Sequence, residues 1–339
     1  MRFAGYAVRR LLWVIPVLLG ITFITFFLTR ILPGNPIDRV AGPYVSAEQR
    51  EQMKREARLD RPVVEQFYLY VRDLVVYQDL GVSYTTAQPV AEDLRERLPV
   101  SLELTTLGML LAIGLALPIG IASAVAKDTW IDQLGRVISV IGVSMPVFWL
   151  GLILLQVFFV NLGWAPAPLG RLSTSLVEPE RITGWLLIDA ALVGDWQVFA
   201  SAAAHLTLPV LIIAFTALAP LARMTRAAMI DALESDYVRT ARALGLPRRV
   251  IIFQHALKNA LIPILTMIAG VYGYALGGEV LVELVFAWPG LGTYSYNAIL
   301  SSDFPAIQGF ILLITVAYVL IYLLVDLLIA AIDPRVEYA

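Results

Sequence analysis

The 339-residue chain contains no cysteine, which excludes disulfides, iron–sulfur clusters and thiolate metal sites and leaves the redox compartment unsignalled. Histidine is almost as scarce. His205 and His255 stand far apart without HExxH spacing, which points to structural or hydrogen-bonding roles rather than to a metal site. Lysine occurs only at Lys54, Lys127 and Lys258, and none follows a glycine. A nucleotide-binding loop of the form GxxxxGK[ST] is therefore missing, so ATP-driven work requires a separate subunit. Charged residues make up 15% of the chain, against about 25% in soluble domains. The formal net charge of −2 gives no sign of a nucleic-acid partner. No serine-centred or paired-carboxylate arrangement on a water-exposed fold suggests hydrolysis, so the chain reads as a non-enzyme without a cofactor.

What is abundant is apolar: 59% of residues are hydrophobic, and the mean hydropathy is +0.76. Leu11 to Thr29 is an uncharged run between Arg10 and Arg30. At about 1.5 Å per residue, a helix of that length covers a hydrocarbon core. Arg2, Arg9 and Arg10 precede it as in a signal peptide. The run is too long for a usual h-region, however, and no A-x-A site follows, so it reads as an uncleaved anchor. Further spans are predicted at Leu104–Ala126, from Val137 to just before Gly163, at His205–Leu221, at Leu261–Phe286 and at Phe304–Ile332. Six spans make this an all-α polytopic membrane protein. Basic residues collect at the N-terminus, at Lys127/Arg136, in Arg223–Pro263 and at Arg335, whereas the two short loops on the other side hold only Arg171 and Arg181. Both termini are therefore expected in the cytoplasm.

Between spans one and two, Pro33 to Pro99 is polar. Ser46-Ala-Glu-Gln49 has the pattern of a capping box opening a helix to about Arg58. A second helix after Pro62 would carry Val64, Phe67, Val71, Leu74 and Val75 on one face. Gly81–Gln88 reads as extended, and Asp93–Leu98 as a short separate helix. Together they predict a small ordered extracytoplasmic cap. Gly163–Ala202 is a second outer loop, with a helix expected around Trp185–Leu192. Gly270, Gly273, Gly277 and Gly278 favour close helix packing, within the subunit in preference to across an interface.

The longest polar interruption in the second half is Arg223–Pro263, with seven basic residues: Arg223, Arg226, Arg239, Arg242, Arg248, Arg249 and Lys258. Ile230, Leu233, Tyr237, Ala241 and Leu244 recur at steps of three and four, which predicts helix with one apolar face. Asp236 is the expected N-cap of a short helix over Tyr237–Leu244, ended by Gly245 and by Pro247. An amphipathic helix held between two spans has no lipid for its apolar face and calls for a protein partner.

Within this stretch, TARALG followed by HALKNALIP resembles the EAA signature of ABC-importer membrane subunits, in the form used by the dipeptide/oligopeptide/nickel permease family. Arg239, Thr240 and Ala241 fall where the general signature has Glu-Ala-Ala, and Gly245 matches its glycine; this departure leaves open which side chain makes the main polar contact. Other segments resemble the same family in the same order: LTRILPGNP, DLGVS, RLPVSLEL, SMPVFWLG, GGEVLVELVFAWPGLG, DFPAIQG and LVDLLIAAIDPRV. The resemblance implies a type I ABC-importer (MetI-like) transmembrane fold. Its expected parts are an N-terminal span (1–32), an extracytoplasmic cap (33–100) and a five-helix permease core (101–339) with a cytoplasmic coupling helix at about 237–245.

The implied partners are a homologous second permease, two ABC ATPase subunits, an extracytoplasmic solute-binding protein and the lipid of a bacterial inner membrane. The implied ATPase contact is Tyr237, Arg239, Thr240, Ala241, Arg242, Leu244 and Gly245. The solute is left among dipeptides, oligopeptides, glutathione, nickel complexes and oligosaccharides.

Glu279 and Glu283 sit one helical turn apart in predicted span five. They line a solute path, or they are hydrogen-bonded to a neighbouring helix or the cap; both readings stand. Asp326 near the end of span six reads as a packing or pairing residue. A rival function is an ion-coupled secondary transporter or channel, which predicts ionisable groups near mid-span. Spans one to four lack these apart from His205. A scaffold or sensor without transport leaves the coupling stretch unexplained.

Overall fold

A computed structural model describes residues 2–31, 46–56 and 58–332. Its regular secondary structure is helical. Among the described residues no strand forms, only an isolated antiparallel bridge between Val82 and Pro89 in the segment expected to be extended. The helices are α1 (Arg2–Ile31), α2 (Ala47–Glu56), α3 (Val63–Val76), α4 (Val90–Val125), α5 (Trp130–Ser144) and α6 (Val147–Leu154), the last continued by a wide turn, Leu155–Asn161. Then come α7 (Leu186–Val193), α8 (Trp196–Glu234), α9 (Asp236–Ala243), α10 (Arg248–Val250) and a second wide turn, Ile251–Ala256. That turn leads into α11 (Leu257–Gly278), followed by α12 (Val280–Val285), α13 (Leu291–Ser301) and α14 (Phe304–Ile332).

Among the described residues, four helices are long and apolar enough to cross a membrane: α4, α8, the run Arg248–Gly278, and α14. A fifth span exists if α5 and α6 count together, and α1 adds an apolar stretch at Val14–Arg30. The protein is thus an all-α polytopic membrane protein.

The expected third span is not straight: Trp130–Gly142 and Val147–Asn161 meet at 95°. Met145 is extended (φ −91°, ψ 123°) ahead of Pro146, as the proline ring forces on its predecessor. The expected separate helix at Asp93–Leu98 is instead the first part of α4, which runs through both Pro99 and Pro118. The predicted fourth span is the middle of a 39-residue helix, about 58 Å at 1.5 Å per residue and longer than a bilayer core requires.

The described residues up to 99 form one compact unit with 289–319, and those of 100–288 form another with 320–332. In the first, Val90, Leu94, Leu291, Tyr294, Ala298, Ala306 and Ile307 make the core. Asp303, fully buried, accepts from Ser83 Oγ at 2.6 Å and Thr85 N at 2.9 Å. The capping box is present in full: Gln49 N donates to Ser46 Oγ at 3.2 Å and Ser46 N to Gln49 Oε1 at 3.0 Å. Phe67 of α3 packs edge-on against Phe23 and Phe26 of α1, whereas Val64 and Val75, expected on the same face, are exposed.

In the second unit α8 is central. Met109, Ala112 and Ala116 of α4 pack against Ala214, Ala217, Leu218 and Leu221 of α8, with Met267 and Ile268 of α11 beside them. A Cβ on Gly120 would lie 2.5 Å from Thr225 Cβ and 2.8 Å from the Ala222 carbonyl, so α4 and α8 approach to a distance only glycine allows. Gly270 lies likewise against Tyr322 Oη, where a Cβ would come within 3.2 Å.

Candidate functional site

The short helix α9 starts after Ser235, which occupies the N-cap position in place of the expected Asp236. No side-chain cap bond forms. Ser235 Oγ donates backwards to the Ala232 carbonyl of α8 at 2.5 Å, the local competition to which serine is prone. At the other end Gly245 takes φ +78°, a left-handed conformation that glycine adopts without steric cost. Leu246 N then reaches the Ala241 carbonyl at 3.2 Å and Gly245 N the Arg242 carbonyl at 3.0 Å, closing the helix with the bonding of a Schellman motif.

The apolar face of α9 differs from the expected one. Val238 and Ala241, three residues apart, are both buried against Leu233 of α8 and Ile251. The chain therefore covers one side of its own helix and fixes it to the end of α8. Ala241 belongs to that inner side. Tyr237 and Leu244, expected on the same greasy face, turn outward and are 41% and 75% exposed. Arg239, Thr240, Arg242 and Gly245 are exposed with them. Arg239 makes only a loose 3.3 Å contact with Asp236, and Arg242 Nη2 donates to the Leu233 carbonyl at 3.3 Å. Beside α9 lies a cleft of about 430 Å³ bordered by Val125, Leu233, Arg242, Leu246 and Arg248. The exposed surface thus combines two large apolar side chains with arginines, the composition of protein-binding patches.

The support under this patch was only partly legible. Asp132, in the charged hinge 127–136 that leads from α4 into the first turns of α5, is fully buried and takes three ionic contacts: Arg226 Nε at 2.5 Å, Arg226 Nη2 at 2.8 Å and Arg136 Nη2 at 2.7 Å. Lys127 Nζ meets Glu234 at 2.6 Å on the last turn of α8. Both contacts tie the hinge to the part of α8 from which α9 hangs. Opposite charges in two separated segments were visible, but nothing in their spacing paired them.

Glu279 and Glu283 fall at a break. Glu279 separates α11 from α12 and is half-buried, with no side-chain hydrogen bond among the described residues. Glu283 is 3% exposed and accepts a 2.6 Å hydrogen bond from Ser101 Oγ of α4. The two carboxylates are therefore unlike: one committed to a helix contact, the other with its acceptors open. Another buried carboxylate, Glu103, has no distinguishing sequence signal. It accepts from Arg171 Nη2 at 2.7 Å and from Leu187 N at 2.8 Å, pinning the segment before α7 to α4.

That segment is organised by Asp189, which accepts from Thr183 N and Oγ1, both at 2.7 Å, and from Gly184 N at 2.9 Å. Burial raises its pKa, but these hydrogen bonds outweigh burial and hold the carboxyl below its ordinary value. His205 is buried with Nδ1 2.7 Å from the Ser201 carbonyl, a structural setting. Among the described residues no cluster of metal-ligating side chains occurs.

Residues 116–338 match the family described as "Binding-protein-dependent transport system inner membrane component", and residues 3–105 match its N-terminal family. The chain is 44% identical to the probable D,D-dipeptide transport system permease protein DdpB of Escherichia coli K12, over 94% of each chain. It is 41% identical to the dipeptide transport system permease protein DppB of Alkalihalophilus pseudofirmus, over 98% of this chain and 99% of that one. It is 37% identical to a glutathione transport system permease protein, GsiC of Escherichia coli O6:H1, over 98% and 99%. The chain therefore belongs to the binding-protein-dependent transport-system membrane components, as a permease subunit of the dipeptide/oligopeptide/nickel class of ABC importers.

Proposed function

We propose that this permease carries peptides, pairing with a homologous second permease to enclose the path and receiving solute from an extracytoplasmic binding protein. Relatives whose names specify dipeptides support the solute class. Two ATPase subunits drive the cycle, each permease receiving one on its cytoplasmic surface. Here the contact is the outward side of α9: Tyr237, Arg239, Thr240, Arg242, Leu244 and Gly245, with Ala241 as the inward anchor. Residues 1–32 act as the N-terminal span, 33–100 as the cap and 101–339 as the core, with both termini in the cytoplasm of a bacterial cell.

The observation that carries this reading is the two-sided character of α9. Val238 and Ala241 fix it to α8 and Ile251, while Tyr237 and Leu244 remain exposed. A push on the outer side reaches the spans because the inner side has no slack: closely packed interiors transmit strain. ATP binding draws the ATPases together, α9 moves with them, and α8 and α11 carry the displacement into the membrane. Glu279, with its acceptors open, meets the ammonium group of the peptide on this path.

Reconstitution in proteoliposomes with the second permease, ATPases and binding protein tests the reading. ATP-dependent dipeptide accumulation is expected. Accumulation without the ATPases, or none with any peptide, overturns it.

A further inference from the structure

Arg30, on the last turn of α1, borders a cavity of about 490 Å³ in the first compact unit. Its Nε donates to Gln66 Oε1 at 2.9 Å, and its Cζ stands 4.6 Å and 5.0 Å from the ring centroids of Phe26 and Phe304. The faces of the guanidinium are thus occupied by aromatic rings, while its edge is not satisfied. Nη1 is shut off from solvent without an acceptor, and among the described residues no carboxylate pairs with the group. A guanidinium carries five N–H donors, and burying a charged donor without an acceptor is more costly than losing a hydrogen bond.

The carboxylates around the same cavity are engaged elsewhere. Asp73 takes Arg58 at 2.5 Å and Arg72 at 2.6 Å, and Asp79 accepts from Gly81 N at 2.8 Å. Two further phenols border the cavity, Tyr70 and Tyr84. Burial pushes the Tyr70 phenol up to about 12, so it stays a neutral donor. Most of the remaining lining is apolar, with Met53, Leu80, Val82 and Pro305 prominent.

We infer that this cavity is a binding site for a phosphate-class oxyanion carried on an apolar body, with Arg30 supplying the cation and Tyr70 and Tyr84 the flanking hydroxyls. A guanidinium beside the cavity, without a carboxylate partner among the described residues, suits a phosphate oxygen, which takes a charge-assisted hydrogen bond. Arg30 stands at the end of an apolar helix, where a long basic side chain reaches the level of the phospholipid headgroups. Inorganic phosphate shares the chemistry without the apolar body.

The test uses the purified full-length permease in its complex. Thermal unfolding is followed while a short-chain phosphatidylglycerol or inorganic phosphate is added, for wild type, Arg30→Gln, Arg30→Lys and the double variant Tyr70→Phe/Tyr84→Phe. Wild type is expected to gain stability in the lipid arm, with affinity at least tenfold weaker in Arg30→Gln and intermediate in Arg30→Lys. A gain in the phosphate arm alone identifies a free anion as the occupant of the same site. If Arg30→Gln does not fold, a tenfold loss in the tyrosine double variant takes its place as the supporting result. No gain in either arm, or equal affinity in wild type and the Arg30 or double-tyrosine variants, overturns the inference.

Discussion

Arg226 grips Asp132 with two nitrogens, Nε to Oδ1 at 2.5 Å and Nη2 to Oδ2 at 2.8 Å, joining the hinge after α4 to the final turns of α8. Asp132 has no exposure at all, while Arg226 retains 23%. Removing the acid leaves a partly solvated arginine, so the loss is smaller than for a fully buried pair. Asp132→Ala is expected to lower stability by about 1–3 kcal/mol. Adding Arg226→Ala should cost little more, because the pair acts as one unit. Thermal unfolding of both single variants and the double variant checks this; additive losses would show that the two residues act separately.

Gly245 holds φ +78° with open space where a side chain would stand. Gly245→Ala therefore suffers backbone strain alone, about 1 kcal/mol. Gly245→Pro cannot adopt that φ at all and loses the N–H that meets the Arg242 carbonyl at 3.0 Å. The expected outcome is normal membrane insertion with uptake abolished in Gly245→Pro and only reduced in Gly245→Ala. Uptake assays alongside quantification of the membrane-inserted protein decide it.

Charge reversal of Arg239 together with Arg242, as Arg239→Glu/Arg242→Glu, leaves the buried Val238–Ala241 side untouched. Assembly of the spans should be retained, while ATP-driven uptake falls at least tenfold. Wild-type uptake by a correctly inserted double variant would remove these arginines from the ATPase contact.

Glu279 and Glu283 should respond differently. Glu283→Ala removes the acceptor to which the Ser101 hydroxyl donates at 2.6 Å, and is expected to destabilise by about 1–3 kcal/mol. Glu279→Gln should fold normally and shift the preference among peptides with free and blocked N-termini. Competition uptake with both peptide classes measures this, and an unchanged preference would exclude Glu279 from the path.

Asp189 gives a pH dependence whose sign is fixed. Its folded pKa is depressed, net of burial, by hydrogen bonds from Thr183 and Gly184. Its contribution is present above the unfolded value of about 3.9 and is lost as pH falls through the lower folded value. The protection of the Thr183 and Gly184 amides, taken relative to their intrinsic exchange rate at each pH, should therefore hold at pH 5 and above and fall only below about pH 4. In Asp189→Asn this protection should be low across that range.

Features written in local sequence were legible. The capping box at Ser46–Gln49 is formed by neighbours and appears as expected, and Phe304–Ile332 is a helix to both predicted ends. Features set by distant packing were not. Pro99 looked like a boundary, but α4 continues through it, with Val90 and Leu94 on one side and Val100 and Leu104 on the other all buried. The apolar face of α9 was drawn through Tyr237 and Leu244 because periodicity cannot tell which of two adjoining stripes meets the chain. Leu233 and Ile251 decide for Val238 and Ala241. Glu103 and Arg171 are 68 positions apart, and Ser101 and Glu283 are 182 apart; no spacing rule joins such partners.

The absence of native cysteine makes one measurement especially direct. Leu244→Cys and Tyr237→Cys, and Ala241→Cys as the inward control, can each be introduced alone and the complex exposed to a short bifunctional crosslinker. Crosslinks to the ATPase subunit are expected from positions 244 and 237 and none from the buried position 241. An ATPase that crosslinks from none of the three, in a complex still taking up peptide with ATP, would contradict the role assigned to α9.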